Sequence, residues 1–342
     1  MGEELAAEIR TAQAARDNLR TNGIKVSWDN ALVVHRARSR GLDVSADDRG
    51  RVLIKGGRRS RWFAAGNVSI NRQLAKRSVQ LGNVTNALLR ARDVRVPQKA
   101  LFEAGEADRA WGWAQAVLPV VLRPNDTGQE VLVRAGIEDR EAFDAAFEAI
   151  ENAFDQVLVE QSLAGIEHRV LVIDNEIIAA TRRLPAHVVG DGRSAVSTLV
   201  QVKNAARAET KNPLHHDLKL DAAAERELAR QDLTDESVPA ADQIVYLRPP
   251  STFDGGGDTV DTTDDLSEAE QEFVRGAARV FTGLRLGGFD ILLPRDGAGT
   301  EPAVLRIDGS PSIAMHHFPS VGRPRDAAGA LMDAMFPANA RQ

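Results

Sequence analysis

The chain has 342 residues, 43% of them hydrophobic and 27% charged, which suits one or more buried cores and excludes a disordered or fibrous polypeptide. With 43 Lys and Arg against 49 Asp and Glu the formal net charge is -6, so the overall field gives no reason to expect a nucleic-acid partner. There is no cysteine, which excludes disulfides, thiolate nucleophiles and sulfur-ligated zinc.

Met1 is followed by acidic, amphipathic sequence, and the apolar runs are far shorter than the ~20 residues of a membrane span. These features predict a cytoplasmic protein with no membrane contact. A homo-oligomer is compatible with them.

Residues 3–21 set Leu5, Ala6, Ile9, Ala12, Ala15 and Leu19 at helical spacing, predicting an amphipathic helix packed on the body. Short elements then alternate: 24–28, a helix over 31–40, a strand over 51–54, a hairpin turn at Lys55-Gly56-Gly57, a return strand over 61–64 and a helix over 71–92. They predict a small α/β N-terminal lobe spanning 1–97.

Next come an apolar run at 117–123, an alternating stretch at 130–134, a helix over 140–152 and a buried strand at 156–160. These make a second unit over 98–160. Strands at 168–173 and 176–183 flank the turn signal Asp174-Asn175. The polar stretch 184–242 carries helices at 197–208 and 222–231, followed by strands at 243–247, 288–293 and 303–307, with helices over 267–282 and after Pro324. Residues 161–342 are therefore read as the third and largest unit.

The most specific run is His168-Arg169-Val170-Leu171-Val172-Ile173, leading to Arg183-Leu184-Pro185-Ala186-His187-Val188-Val189-Gly190-Asp191-Gly192. Val245-Tyr246-Leu247-Arg248, Gly256-Gly257-Asp258, Gly288-Phe289-Asp290 and Asp308-Gly309-Ser310-Pro311 follow in order. Together they resemble the ATP-grasp superfamily, in particular the ATP-grasp domain of cyanophycin synthetase and of bifunctional glutathione synthetases. The resemblance covers roughly 65–335 and is strongest after 155.

It implies an α+β protein in which two lobes clamp a nucleotide cleft, and a ligase that uses ATP and magnesium to join a carboxylate to an amine on an amino acid or peptide. By position, Glu160 falls near the adenine, Glu167 at the ribose, and Arg123, Gly256 and Gly257 at the phosphates. Arg183 and Arg248 match the catalytic arginines, Asp290 and Asp308 the metal ligands, and His316 and Arg306 fall beside the substrate. Leu158, Val170 and Ile291 would form the purine slot.

Several positions depart from that pattern. The Glu-x-Asn pair of the last strand is Arg306 and Asp308, the Lys-Pro step is Arg123-Pro124, and Leu81-Gly82-Asn83 stands where an Asp-Lys step is usual. Arginine cannot ligate magnesium. A non-catalytic protein of this fold that binds a peptide or a partner ligase therefore stands as the alternative.

Bland readings are available throughout: Asp308 can open a turn at Gly309, His215-His216 and His316-His317 can be surface or loop residues, and Trp28, Trp62, Trp111 and Trp113 can be core.

Overall fold

A computed structural model describes residues 2–125, 133–248, 256–295, 297–299 and 301–337. Helices α1 (Gly2–Thr21) and α2 (Trp28–Ser39) precede a four-stranded meander of β1 (Asp43–Ala46), β2 (Val52–Gly56), β3 (Arg59–Ala64) and β4 (Asn67–Val68). Two short helices, α3 (Gln73–Gln80) and α4 (Gly82–Arg90), follow. The single helix expected over 71–92 is broken at Leu81, which is extended at φ -101 and ψ 109, because the chain must turn at Gly82 to lie against Leu158.

A second sheet is built from β5 (Lys99–Glu103), β6 (Val120–Pro124), β7 (Arg134–Ile137) and β8 (Gln156–Gln161) in the order β5-β8-β6-β7. Helices α5 (Ala107–Ala114) and α6 (Arg140–Glu151) cover its outer face, with Phe143, Phe147 and Ile150 fully buried. The expected strand at 130–134 lies partly outside the described residues; strand geometry begins at Arg134.

The largest sheet runs β13-β10-β9-β14-β15, from β9 (Ile166–Ile173), β10 (Glu176–Leu184), β13 (Asp258–Asp261), β14 (Leu286–Leu293) and β15 (Ala303–Asp308). All its neighbours are antiparallel. Asp174 and Asn175 close the β9–β10 hairpin with φ of 51° and 65°, the left-handed pair that matches the strand twist. A small ladder of β11 (His187–Val189) and β12 (Ile244–Tyr246) packs with α7 (Val196–Thr210) and α8 (Ala222–Ala229). Helix α9 (Glu268–Val280) lies between β13 and β14, and α10 (Ala314–His317) and α11 (Ala327–Met335) follow β15.

Strand periodicity splits β9 and β14 between two environments. Val170, Val172, Phe289, Ile291 and Leu293 enter the core beneath α9. Leu171, Ile173 and Leu286 face the other way, into a core shared by α1, α2, the β1–β4 meander and α11. The N-terminal elements and the last helices thus stabilise one side of the central sheet together.

His316 and His317 are buried, not surface residues, because α10 is sandwiched between α2 and β10. His317 donates to Glu8 at 2.8 Å and accepts from the Ala328 amide at 3.0 Å.

The meander also fixes the loop after β15. Gly66, at φ +85, lies so close to that loop that a Cβ would come 2.1 Å from the Ser310 carbonyl oxygen. Gly66→Ala should therefore destabilise the protein by about 2 kcal/mol or more, combining backbone strain with a main-chain clash. A lowered urea midpoint with an unchanged slope would be the expected readout.

Candidate functional site

Cross-strand register assembles a polar row along one end of the large sheet. Asp261 lies opposite Thr181, Thr181 opposite Arg169, Arg169 opposite Asp290, and Asp290 opposite Arg306. All five point away from the α9 core, since Val170, Ala180, Ile291 and Ile307 occupy the alternate face.

The row's ion pairs meet at the carboxylate of Asp290, a residue only 2% exposed. Arg169 grips it with Nε on Oδ1 and with Nη2 on Oδ2 at 2.8 Å. Arg306 donates to Oδ2 from Nε at 2.9 Å and from Nη2 at 2.8 Å, and Arg183 reaches Oδ1 at 3.3 Å. Arg183 also pairs with Glu167. Burial alone would raise the Asp290 pKa, but Arg169, then Arg183 and Arg306, hold it far below the usual carboxylate range.

Arg169 extends further, its Nη1 lying 3.4 Å from Asp308 Oδ2, while Asp308 Oδ1 accepts from the Ser310 amide at 2.8 Å. Space for this reach comes from Gly288, where a Cβ would stand 3.1 Å from both Cδ and Nη1 of Arg169.

A second cluster faces the row from the β5–β8 sheet. Glu160, on β8, accepts from Arg123 Nη2 at 3.0 Å and is 3.2 Å from Lys99 Nζ. Lys99 also donates to the Leu305 carbonyl at 2.9 Å, tying β5 to β15. Burial lowers the Lys99 pKa to about 8 against the attraction of Glu160.

Between these clusters lies a cavity of about 260 Å³. Its charged lining is Arg123, Glu160, Glu167, Arg183, Asp290 and Arg306, and its apolar lining includes Val121, Ala135, Leu163, Leu292 and Leu305.

No family model matches the chain. Cyanophycin synthetase of Nostoc sp. is 32% identical over 224 residues, covering 64% of this chain and 25% of that protein. The glutathione biosynthesis bifunctional protein of Pasteurella multocida is 32% identical over 270 residues, covering 74% of this chain and 35% of the relative. A bifunctional glutathione synthetase from Pasteurella multocida, known from its crystal structure, superposes with a TM-score of 0.67 at 26% identity, covering 91% of this chain and 44% of that one. The chain thus spans about a quarter to a third of the length of these curated relatives.

The chain belongs to the ATP-grasp superfamily. Within this ATP-grasp fold, seven of the residues singled out from the sequence converge: Arg123, Glu160, Glu167, Arg183, Asp290 and Arg306 line the cavity, and Asp308 joins them through Arg169.

Others lie elsewhere. Arg248 donates to Asp221 at 2.8 Å, at the start of α8, and does not line the cavity. Gly256 packs on Leu218 and its carbonyl accepts from Arg207 at 2.8 Å; Gly257 follows it at the edge of the segment 249–255, which with 126–132 lies outside the described residues.

His316 shares a 2.9 Å hydrogen bond with Thr181 in the polar row, and burial pushes its pKa down to about 3. Leu158, Val170 and Ile291 form no slot: Leu158 is sealed against Gly82, and the other two face the α9 core.

Among the described residues, those that would hold magnesium in the ATP-grasp cleft do not fit it. Asp290 already receives five N–H groups, against roughly four lone-pair directions on a carboxylate. Among the described residues no group of three or more His, Asp or Glu could hold a metal. The expected ligand pair Asp290 and Asp308 is instead bridged by Arg169.

Two residues central to this geometry, Arg169 and Lys99, carry no role in the sequence reading. A charged side chain within the apolar alternation of β9 is the signal that marks Arg169. Nothing local marks Lys99.

Removing the central charge should be costly, because three guanidinium groups would then share a buried site without their counter-ion. Asp290→Asn is expected to destabilise the protein by about 3–5 kcal/mol in urea. The depressed pKa makes Asp290's contribution complete above its unfolded value of about 4 and progressively lost below it; acid titration of the variant should lack that loss.

Lys99 works in the opposite pH range. Its folded pKa of about 8 lies below the value of about 10.4 in an unfolded chain, so the unfolded state binds more protons between them and stability should rise across that interval. Lys99→Met should show a flatter rise in urea midpoint between those pH values.

Proposed function

We propose that the protein is an ATP-dependent carboxylate–amine ligase acting on an amino acid or peptide, with the nucleotide lying in the cavity between the two sheets. The observation that carries this reading is the convergence of Arg123, Arg183 and Arg306 on one cavity that also has an apolar wall. An apolar slot with a few fixed charges suits a purine attached to phosphates.

In the reaction class, a substrate carboxylate oxygen attacks the γ-phosphorus and ADP leaves. The amine then attacks the acyl carbon, inorganic phosphate departs, and the amine proton goes to solvent. Negative charge spreads over phosphoryl oxygens in the first step and over the tetrahedral oxyanion in the second. Arg183 and Arg306, held by Asp290 before any ligand arrives, are preorganised donors for the first of these. Arg123, fixed by Glu160, faces the phosphates from the other sheet.

A second reading, binding without turnover, draws support from the same cluster, since every acidic group in it is already neutralised by a cation.

Incubation with ATP and a mixture of amino acids should release phosphate above the amino-acid-free blank, and Arg183→Ala should reduce kcat/KM on the order of tenfold to a hundredfold. ATP binding without amino-acid-dependent release would favour the second reading. No ATP binding at all would defeat the ligase reading and favour the second, a protein of this fold that binds a peptide or a partner ligase.

A further inference from the structure

We infer that the cleft receives the phosphates of its nucleotide without a divalent cation, the guanidinium groups of Arg169 and Arg306 holding the places a metal would need beside Asp290 and Asp308. This rests on the nucleotide reading above and sharpens it, because it names how the ligand's charge is met.

Three observations converge. Arg169 lies between the two carboxylates, touching Asp290 with Nε and Nη2 and Asp308 with Nη1. Gly288 favours this position: a Cβ there would stand 2.8 Å from Pro311 Cβ and crowd the Arg169 side chain at 3.1 Å. Arg306 is the direct cross-strand partner of Asp290, lines the cavity, and donates twice more to Oδ2.

The charges decide between a metal and a guanidinium. Among the described residues, Asp290, Asp308 and Glu167 are all paired with Arg169, Arg183 or Arg306. A divalent ion entering this group would meet three guanidinium charges already paired with Asp290. Displacing a guanidinium would leave that cation in a largely dry site without its counter-ion. An incoming phosphate meets the reverse situation: Arg183, Arg306 and Arg123 line the cavity, and a guanidinium presents a planar fork of donors suited to phosphate oxygens.

Calorimetric titration of ATP into the full chain, in excess magnesium chloride and separately in EDTA, tests this. Kd should agree within about threefold between the two. Binding weaker by more than about tenfold in EDTA overturns the inference while leaving the nucleotide reading intact; absence of binding in both overturns the two together.

Arg306→Glu, checked for folding by circular dichroism, should bind ATP weakly in EDTA and recover in magnesium, and should gain a Mn2+ site visible by electron paramagnetic resonance that the wild type lacks. Arg306→Gln serves if that variant does not fold, and should lose at least about tenfold in affinity under both conditions. Affinity in EDTA unchanged from the wild type in a folded Arg306 variant would count against the proposal.

Discussion

A single buried carboxylate organises the candidate site. Asp290 sits on β14 of a five-stranded sheet, and three arginines from β9, β10 and β15 converge on it. An isolated charge at that depth would be driven neutral by desolvation; surrounded by guanidinium groups it stays ionised, and it in turn fixes where each of them lies. Clusters of this kind add little net stability compared with an apolar core, yet breaking one is expensive. Their consequence here is positional: Arg183 and Arg306 are held at the cavity wall with their forks already oriented.

That arrangement depends on packing far from it. The cleft-side row exists because the opposite faces of β9 and β14 are committed to the core beneath α9. Further along the same strands, Leu171 and Ile173 enter the core that α1, α2 and α11 share. Asp29, from the N-terminal region, accepts from Ser312 Oγ and from the amides of Ile313 and Ala314, and Asn71 brackets Leu286 and Gly309. The loop bearing Asp308 is therefore clamped from the N-terminal side, which explains why residues before 97 matter to a site formed after 160.

The two walls of the cavity are linked by Lys99, whose ammonium pairs with Glu160 on its own sheet and reaches the Leu305 carbonyl on the other. A contact of this kind couples the separation of the sheets to the charge on one side chain. Lys99 and Arg123 share the Glu160 carboxylate as their counter-ion.

Local order was legible in the chain itself. Helical spacing announced α1, the Asp174-Asn175 step announced the β9–β10 hairpin, and the motifs from 168 to 311 pointed to the superfamily, because turn chemistry and side-chain periodicity act over a few residues. Arg306, Asp290 and Arg183 could be nominated from their motifs. What each one touches could not, since the partners lie 16 to 139 residues apart and meet only through register.

Register alone turned Arg169 from an unremarked strand residue into the cation between two carboxylates, and sent Val170 and Ile291 into the core instead of a purine slot. Burial of His316 and His317 was decided by the docking of α10 against α2 and β10. Sequence thus determined which charges this protein carries and in which strands; only the tertiary structure decided that they neutralise one another, because Coulombic pairing depends on distance in space.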